Sequence, residues 1–292
     1  MSEMNVIQTG NSNGPLLVCV HGLMGHTHDF EPFLEEWGKH FNILIPDYAP
    51  NSMEKYYMEI YQGEEWLLYD LGGRKISHYL KTHFPGKKAF FAGISVGGKI
   101  SLEIAGVYPE IFAGAVITDV GIGHLTHSPL CTFIEKTLPN INVKRPWELL
   151  RKELREKIPD RMLRILVQSH IEYPDKKIPE ARWHSQGYKF YDLLRKSRME
   201  DQWEYADKIK SSVFILKASL MSAIASEDYQ KMQEYAWSKF IEIPNSGHFI
   251  QITHQKDFEK EVVRCLFSLT EKQKSKLENT STTSGQDANL YA

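Results

Sequence analysis

Cysteine is scarce in this chain: three among 292 residues, at Cys19, Cys131 and Cys265. An odd, widely spaced set excludes a disulfide framework and fits a reducing compartment. Cys19 lies within an apolar run and reads as a core residue rather than a nucleophile. Charge of one sign is missing too. The formal net charge is −2, which gives no basic face for nucleic acid or an anionic membrane. No apolar run is long enough to span a bilayer. Residues 1–6 lack the basic stretch followed by an apolar one that marks a signal peptide, so the cytoplasm is the expected location. There is no Walker loop, and Gly121-Ile122-Gly123 lacks the third glycine and the strand-turn-helix setting of a dinucleotide site. His26, His28 and Asp29 alternate ahead of a helix without a third ligand of matched spacing. Asp29 reads as a helix-start residue. No metal and no cofactor are expected.

What is present is ordinary for a globular protein: 42% hydrophobic and 25% charged residues. Short apolar runs alternate with helical patterns. Strands are expected at 16–20, 41–46, 89–92, 112–118, 212–217 and 239–243. Helices are expected at about 30–38, 64–82, 100–107, 227–237 and 254–267. The pair Gly72-Gly73 weakens the middle of the second helix. Alternation of this kind implies a parallel sheet with right-handed crossovers, whose ligands bind beyond the carboxyl ends of the strands. His21, Asp47, Ser95 and Asp119 all fall at such ends. Between 121 and 206 strand-like runs vanish. The segments 146–157, 161–170 and 182–198 read as amphipathic helices punctuated by prolines, and Trp147, Trp183 and Trp203 read mostly as packing residues. Residues 270–292 are polar and without periodicity, and are expected to be disordered.

One stretch carries chemistry. Gly93-Ile94-Ser95-Val96-Gly97 is G-x-S-x-G, set between an apolar strand and a helix. A strand turning straight into a helix holds the residue at its tip in a strained conformation, and glycines on either side remove side chains that would collide. Ser95 would then stand at the positive end of a helix, where an anion is stabilised. A glycine-rich turn with an incidental serine is the alternative for the pentapeptide alone.

His21-Gly22 after the first apolar strand, the elbow, and Ser246-Gly247-His248 after the last strand together resemble the α/β-hydrolase superfamily over about residues 14–267. The resemblance implies a mostly parallel α/β sheet flanked by helices, with an inserted helical cap. Residues 1–120 and 207–269 would form the core, 121–206 the cap and 270–292 a tail. It implies Ser95 as nucleophile, His248 as base, and an oxyanion hole from the backbone amides of Leu23 and Val96. His21 and Asp47 would be structural. The loop that usually carries the acid has Met221 and Ser222 at the relevant positions, and neither ionises usefully. Glu227 and Asp228 follow, where they read as favourable charge in a first helical turn. Asp119, closing the strand after the elbow helix, is the favoured acid, because some members of the superfamily take it from there. The expected activity is hydrolysis of an ester or thioester of a small-molecule acyl substrate. Cleavage of a carbon–carbon bond by the same residues, and a slow or non-catalytic binding protein on the same scaffold, stay open. The unusual acid loop and the reshaped loop at 48–51 favour the binding protein.

Overall fold

The computed structural model describes residues 4–22, 26–48, 68–124 and 201–284, with 132–133, 136–137, 140–159, 161–169, 171–172 and 182–183 in between. A seven-stranded sheet runs through its centre. Its strands are β1 (Val6–Gly10), β2 (Leu16–Val20), β3 (Asn42–Pro46), β4 (Ala89–Ile94), β5 (Phe112–Thr118), β8 (Val213–Ala218) and β9 (Ser238–Ile243), in the order β1-β3-β2-β4-β5-β8-β9. Only β1 is antiparallel to its neighbour.

The central strands are apolar on both faces because helices cover both. Along β4, Ala89 and Phe91 join a core with α2 (Leu68–His83) and α3 (Val96–Val107). Phe90, Ala92 and Ile94 point the other way, into a core with Phe30, Phe33, Trp37 and the C-terminal helix. This is the period-two alternation of a strand, read as a continuous apolar run only because neither face meets water. Cys19 is fully buried in that second core, and burial pushes its thiol pKa upward, which fits an inert packing residue. Cys131 lies outside the described residues.

Several expectations need correction. β1 was not anticipated. It is a short, half-exposed edge strand, and its alternation is too brief to stand out. The helix expected at 30–38 is a 3-10 turn over Thr27–Phe33 followed by one α-helical turn, α1 (Leu34–Trp37). Pro32 lies inside it, and a proline's missing N–H and ring are tolerated better in a tight turn than within an α-helix. The Gly72-Gly73 pair does not break α2. A β-carbon on Gly73 would come within 2.9 Å of Glu103 Cγ, so the glycine marks where α2 and α3 pack closely.

The 121–206 segment contains α4 (Trp147–Lys157) and α5 (Arg161–Ser169), as expected. It is not wholly helical. β6 (Ile171–Glu172) pairs with β7 (Arg182–Trp183) as a small antiparallel ribbon, where a helix from 182 was expected. After β8, α6 (Ser226–Met232) ends sooner than expected, and Trp237 instead donates its indole N–H to Ala206 O at 2.9 Å. A single turn, α7 (Ile250–Thr253), leads to the last helix, α8 (Gln255–Ser284). Phe258, Val262, Cys265, Leu266 and Leu269 seat α8 on the sheet. It continues to Ser284, into the stretch expected to be disordered. Glu271, Lys272, Gln273 and Lys274 are good helix formers, and they extend a helix already nucleated by packing.

Candidate active site

The sharp turn between β4 and α3 is built by exclusion of side chains. A β-carbon on Gly97 would lie 2.0 Å from Val20 O, and one on Gly93 would lie 2.6 Å from Gly97 O. On Gly98 it would meet Val120 Cγ1 at 2.4 Å. The elbow helix therefore presses directly onto the ends of β2 and β5. Ser95 at the tip has φ 51° and ψ −117°, a region that side-chain-bearing residues rarely occupy and that persists only where the surroundings enforce it. Its own amide donates to Thr118 O at 3.1 Å, tying the turn to the end of β5.

Ser95 faces the loop after β9. Ser95 Oγ lies 3.0 Å from His248 Nε2, and His248 Nδ1 lies 2.8 Å from Asp119 Oδ2. A carboxylate only accepts, so Nδ1 carries the imidazole proton. Nε2 is left with a lone pair toward the Ser95 hydroxyl. The three side chains come from positions far apart in the chain, and parallel registry of β5, β8 and β9 brings them to one edge.

Asp119 is completely buried, and it too has a left-handed backbone, φ 45°. Its carboxylate is well supplied with donors. Oδ1 accepts from Ala218 N at 2.9 Å and Ser222 Oγ at 2.6 Å, and Oδ2 accepts from Ala223 N at 2.8 Å besides the histidine. Ser222 Oγ in turn accepts from Ile224 N at 3.0 Å. The loop after β8 thus supplies donors to the carboxylate of its neighbour. Met221 pairs with Gly247 as an isolated bridge, and Leu220 N donates to Ser246 O at 3.0 Å, so the same loop also braces the histidine turn.

The other candidates lie elsewhere. Glu227 and Asp228 occupy the first turn of α6. Asp228 packs against Gly123, where any β-carbon would overlap its carboxylate. Val96, the first residue of α3, holds its amide next to Ser95, with no intrahelical carbonyl to reach. Leu23 lies outside the described residues, as do residues 49–51 of the reshaped loop. His21 is buried, stacks on Tyr48 with ring centroids 4.3 Å apart, and donates through Nδ1 to Gly22 O at 3.0 Å. Burial holds its pKa below the ordinary histidine value. Tyr48 OH donates to His21 O at 3.0 Å. His26 and Asp29 cap the 3-10 turn reciprocally: the His26 ring accepts from His28 N, and Asp29 Oδ2 accepts from His26 N. Among the described residues no group of three or more His, Cys, Asp or Glu could hold a metal ion.

Two buried residues escaped sequence reasoning. Ser222 was set aside because it does not ionise, yet its hydroxyl is a donor to Asp119. Lys99 follows the elbow glycines and is fully buried. A lysine directly after the elbow glycines, in a mostly apolar helix, was the available signal.

No protein-family model and no curated protein sequence matches the chain. Solved structures do. A marine microorganism esterase superposes with a TM-score of 0.64 at 18% identity, covering 90% of this chain and 98% of that one. E-2-(acetamidomethylene)succinate hydrolase gives 0.60 at 16%, with 89% and 94% covered. An α/β hydrolase from a Medee basin deep-sea metagenome library gives 0.59 at 19%, with 89% and 92% covered. At these identities the likeness is one of architecture, and with its mostly parallel sheet, strand order and flanking helices the chain has the α/β-hydrolase fold.

Proposed function

We propose that this chain is a serine hydrolase that cleaves a carboxylic ester or thioester of a small molecule through an acyl-enzyme on Ser95. One observation carries the reading: an unbroken hydrogen-bonded path from Ser95 Oγ through His248 to the buried carboxylate of Asp119. A serine hydroxyl is a weak nucleophile at neutral pH and needs an adjacent base. His248 Nε2 is within reach to take its proton as Oγ bonds to the carbonyl carbon. Asp119 orients the ring and stabilises the imidazolium that forms. The tetrahedral oxyanion falls to the amide of Val96, and the resemblance in sequence motifs implies the amide of Leu23 as the second donor. Collapse breaks the bond to the leaving oxygen or sulfur, which receives the proton from His248. A water molecule, deprotonated by the same imidazole, then releases the acid and restores Ser95. The likeness in fold to an esterase and other hydrolases supports the same reading.

The rival reading, a slow or non-catalytic binding protein, leaned on the missing acid in the loop after β8 and on the reshaped loop at 48–51. Ser222 and its neighbouring amides give the loop after β8 a different task, which weakens the first of these supports. The test is labelling of the purified protein with a fluorophosphonate, together with hydrolysis of short and long activated acyl esters. Labelling and turnover are expected in the wild type, and both should vanish in Ser95→Ala. Folded wild-type protein that neither labels nor turns over would favour the binding protein instead.

A further inference from the structure

The 121–206 segment leaves the core after Asp119 and returns at Asp201-Gln202. Both of its ends meet at one residue of the elbow helix. Lys99 Nζ donates to Gly123 O at 2.7 Å and to Ile122 O at 3.3 Å. Gln202 Nε2 donates to Lys99 O at 3.0 Å, and Gln202 N donates to Ile122 O at 2.8 Å. The outgoing chain, the incoming chain and the helix behind Ser95 are therefore stitched together in one buried patch. Lys99 and Gln202 are both fully buried. The returning chain then follows the helix: a β-carbon on Gly106 would lie 2.5 Å from Tyr205 Cβ.

This patch bears on Asp119. Its left-handed φ is not relieved by glycine, and such strain persists only when the chain on both sides is held. On the N-terminal side, Asp119 N donates to Leu216 O at 2.8 Å. On the C-terminal side, Val120 packs on the elbow helix at Gly98, and the next hydrogen-bonded points are the carbonyls of Ile122 and Gly123. Release of those carbonyls would let residues 120–123 relax, and the Asp119 backbone with them.

We propose that Lys99 and Gln202 are positioning residues: they clasp the two ends of the 121–206 segment onto the nucleophile-bearing helix and so hold Asp119 in register with His248. The proposal rests on the reading of Ser95, His248 and Asp119 as the reacting set. It does not depend on the charge of Lys99. A neutral amine still has two N–H donors, one for each carbonyl, so the clasp survives deprotonation.

The test compares Gln202→Ala and Lys99→Met in the full chain, alone and combined with Asp119→Asn. Thermal melts verify folding, and Gln202→Ala serves should Lys99→Met not fold. Two readouts follow: kcat and KM on a p-nitrophenyl ester, and the far-downfield proton resonance of the His248 Nδ1–H bonded to Asp119. The clasp predicts a shifted or lost resonance. It also predicts kcat lower by at least about ten-fold, as misplacement of a reacting group costs, with KM within about two-fold. In the Asp119→Asn background the same substitutions should cost less than about two-fold, because coupled residues are not additive. A folded Gln202→Ala with wild-type kcat and an unmoved resonance would overturn the proposal, and so would an equal loss in the Asp119→Asn background. Should the wild type turn over no ester and resist the phosphonate, the proposed activity falls, while the resonance still judges the clasp.

Discussion

Two strand ends flank His248, and they are built differently. The end of β5 presents an acceptor: Asp119, strained, wholly buried and aimed at Nδ1. The end of β8, where a relative of this fold would commonly place its acid, presents donors: Ala218 N, Ala223 N and Ser222 Oγ. A buried carboxylate needs hydrogen bonds to offset lost hydration, and a histidine partner supplies only one. Dividing the task between neighbouring strand ends solves this. One contributes the charge and the other the solvation that water would have provided. The absence of an ionisable residue at Met221 and Ser222 is thus the counterpart of Asp119.

The comparison is open to direct attack. The largest effect is expected from Asp119→Asn, which keeps the shape but cannot hold the imidazole in the same protonation pattern. Its kcat should fall by roughly a thousand-fold or more while fluorophosphonate labelling of Ser95 slows without disappearing. Turnover close to wild type would mean that the acid is not at β5. A smaller effect is expected at the donor end. Ser222→Ala removes a hydrogen bond to a charged group, of about 1.5–3 kcal/mol. It should lower kcat/KM by roughly ten- to a hundred-fold, while Glu227→Gln, in the first turn of α6, should leave it unchanged. If Glu227→Gln proved the more damaging of the two, the division of labour proposed here would be wrong.

The smallest effect concerns stability rather than rate. Burial lowers the Lys99 pKa from the ordinary 10.5 to about 7, against the opposing pull of Asp201 and Asp228. Between those two values the unfolded chain holds a proton that the folded chain lacks. On account of this group, unfolding free energy therefore rises with pH across that window, and the cost of burying the charge is felt in full below it. Denaturant midpoints measured across the window should show this slope in the wild type and a flatter one in Lys99→Met. An unchanged slope would mean that Lys99 keeps its proton when buried.

Much of the site was legible because its causes are local. The elbow follows from glycines at Gly93 and Gly97, whose β-carbons would collide with the backbone around them. The apolar runs at β2, β4 and β5 report burial on two faces, and each is followed by a candidate residue at the carboxyl edge of the sheet. Errors arose where a tertiary contact overrode a local preference. Gly73 reads as a helix weakness and proved to be a packing contact with Glu103. Residues 271–284 have no apolar periodicity of their own and borrow their helix from the seated turns before them.

By itself, then, the chain's order of residues determined the alternating sheet, the turn that exposes Ser95 and the histidine loop, since steric exclusion and burial act over a few residues at a time. Only the tertiary structure decided which carboxylate meets His248, why Ser222 is there, and that Lys99 and Gln202 join both ends of the long intervening segment. Those pairings span large separations in sequence, 129 positions between Asp119 and His248 and 103 between Lys99 and Gln202. They depend on strand order and register, which no short pattern encodes.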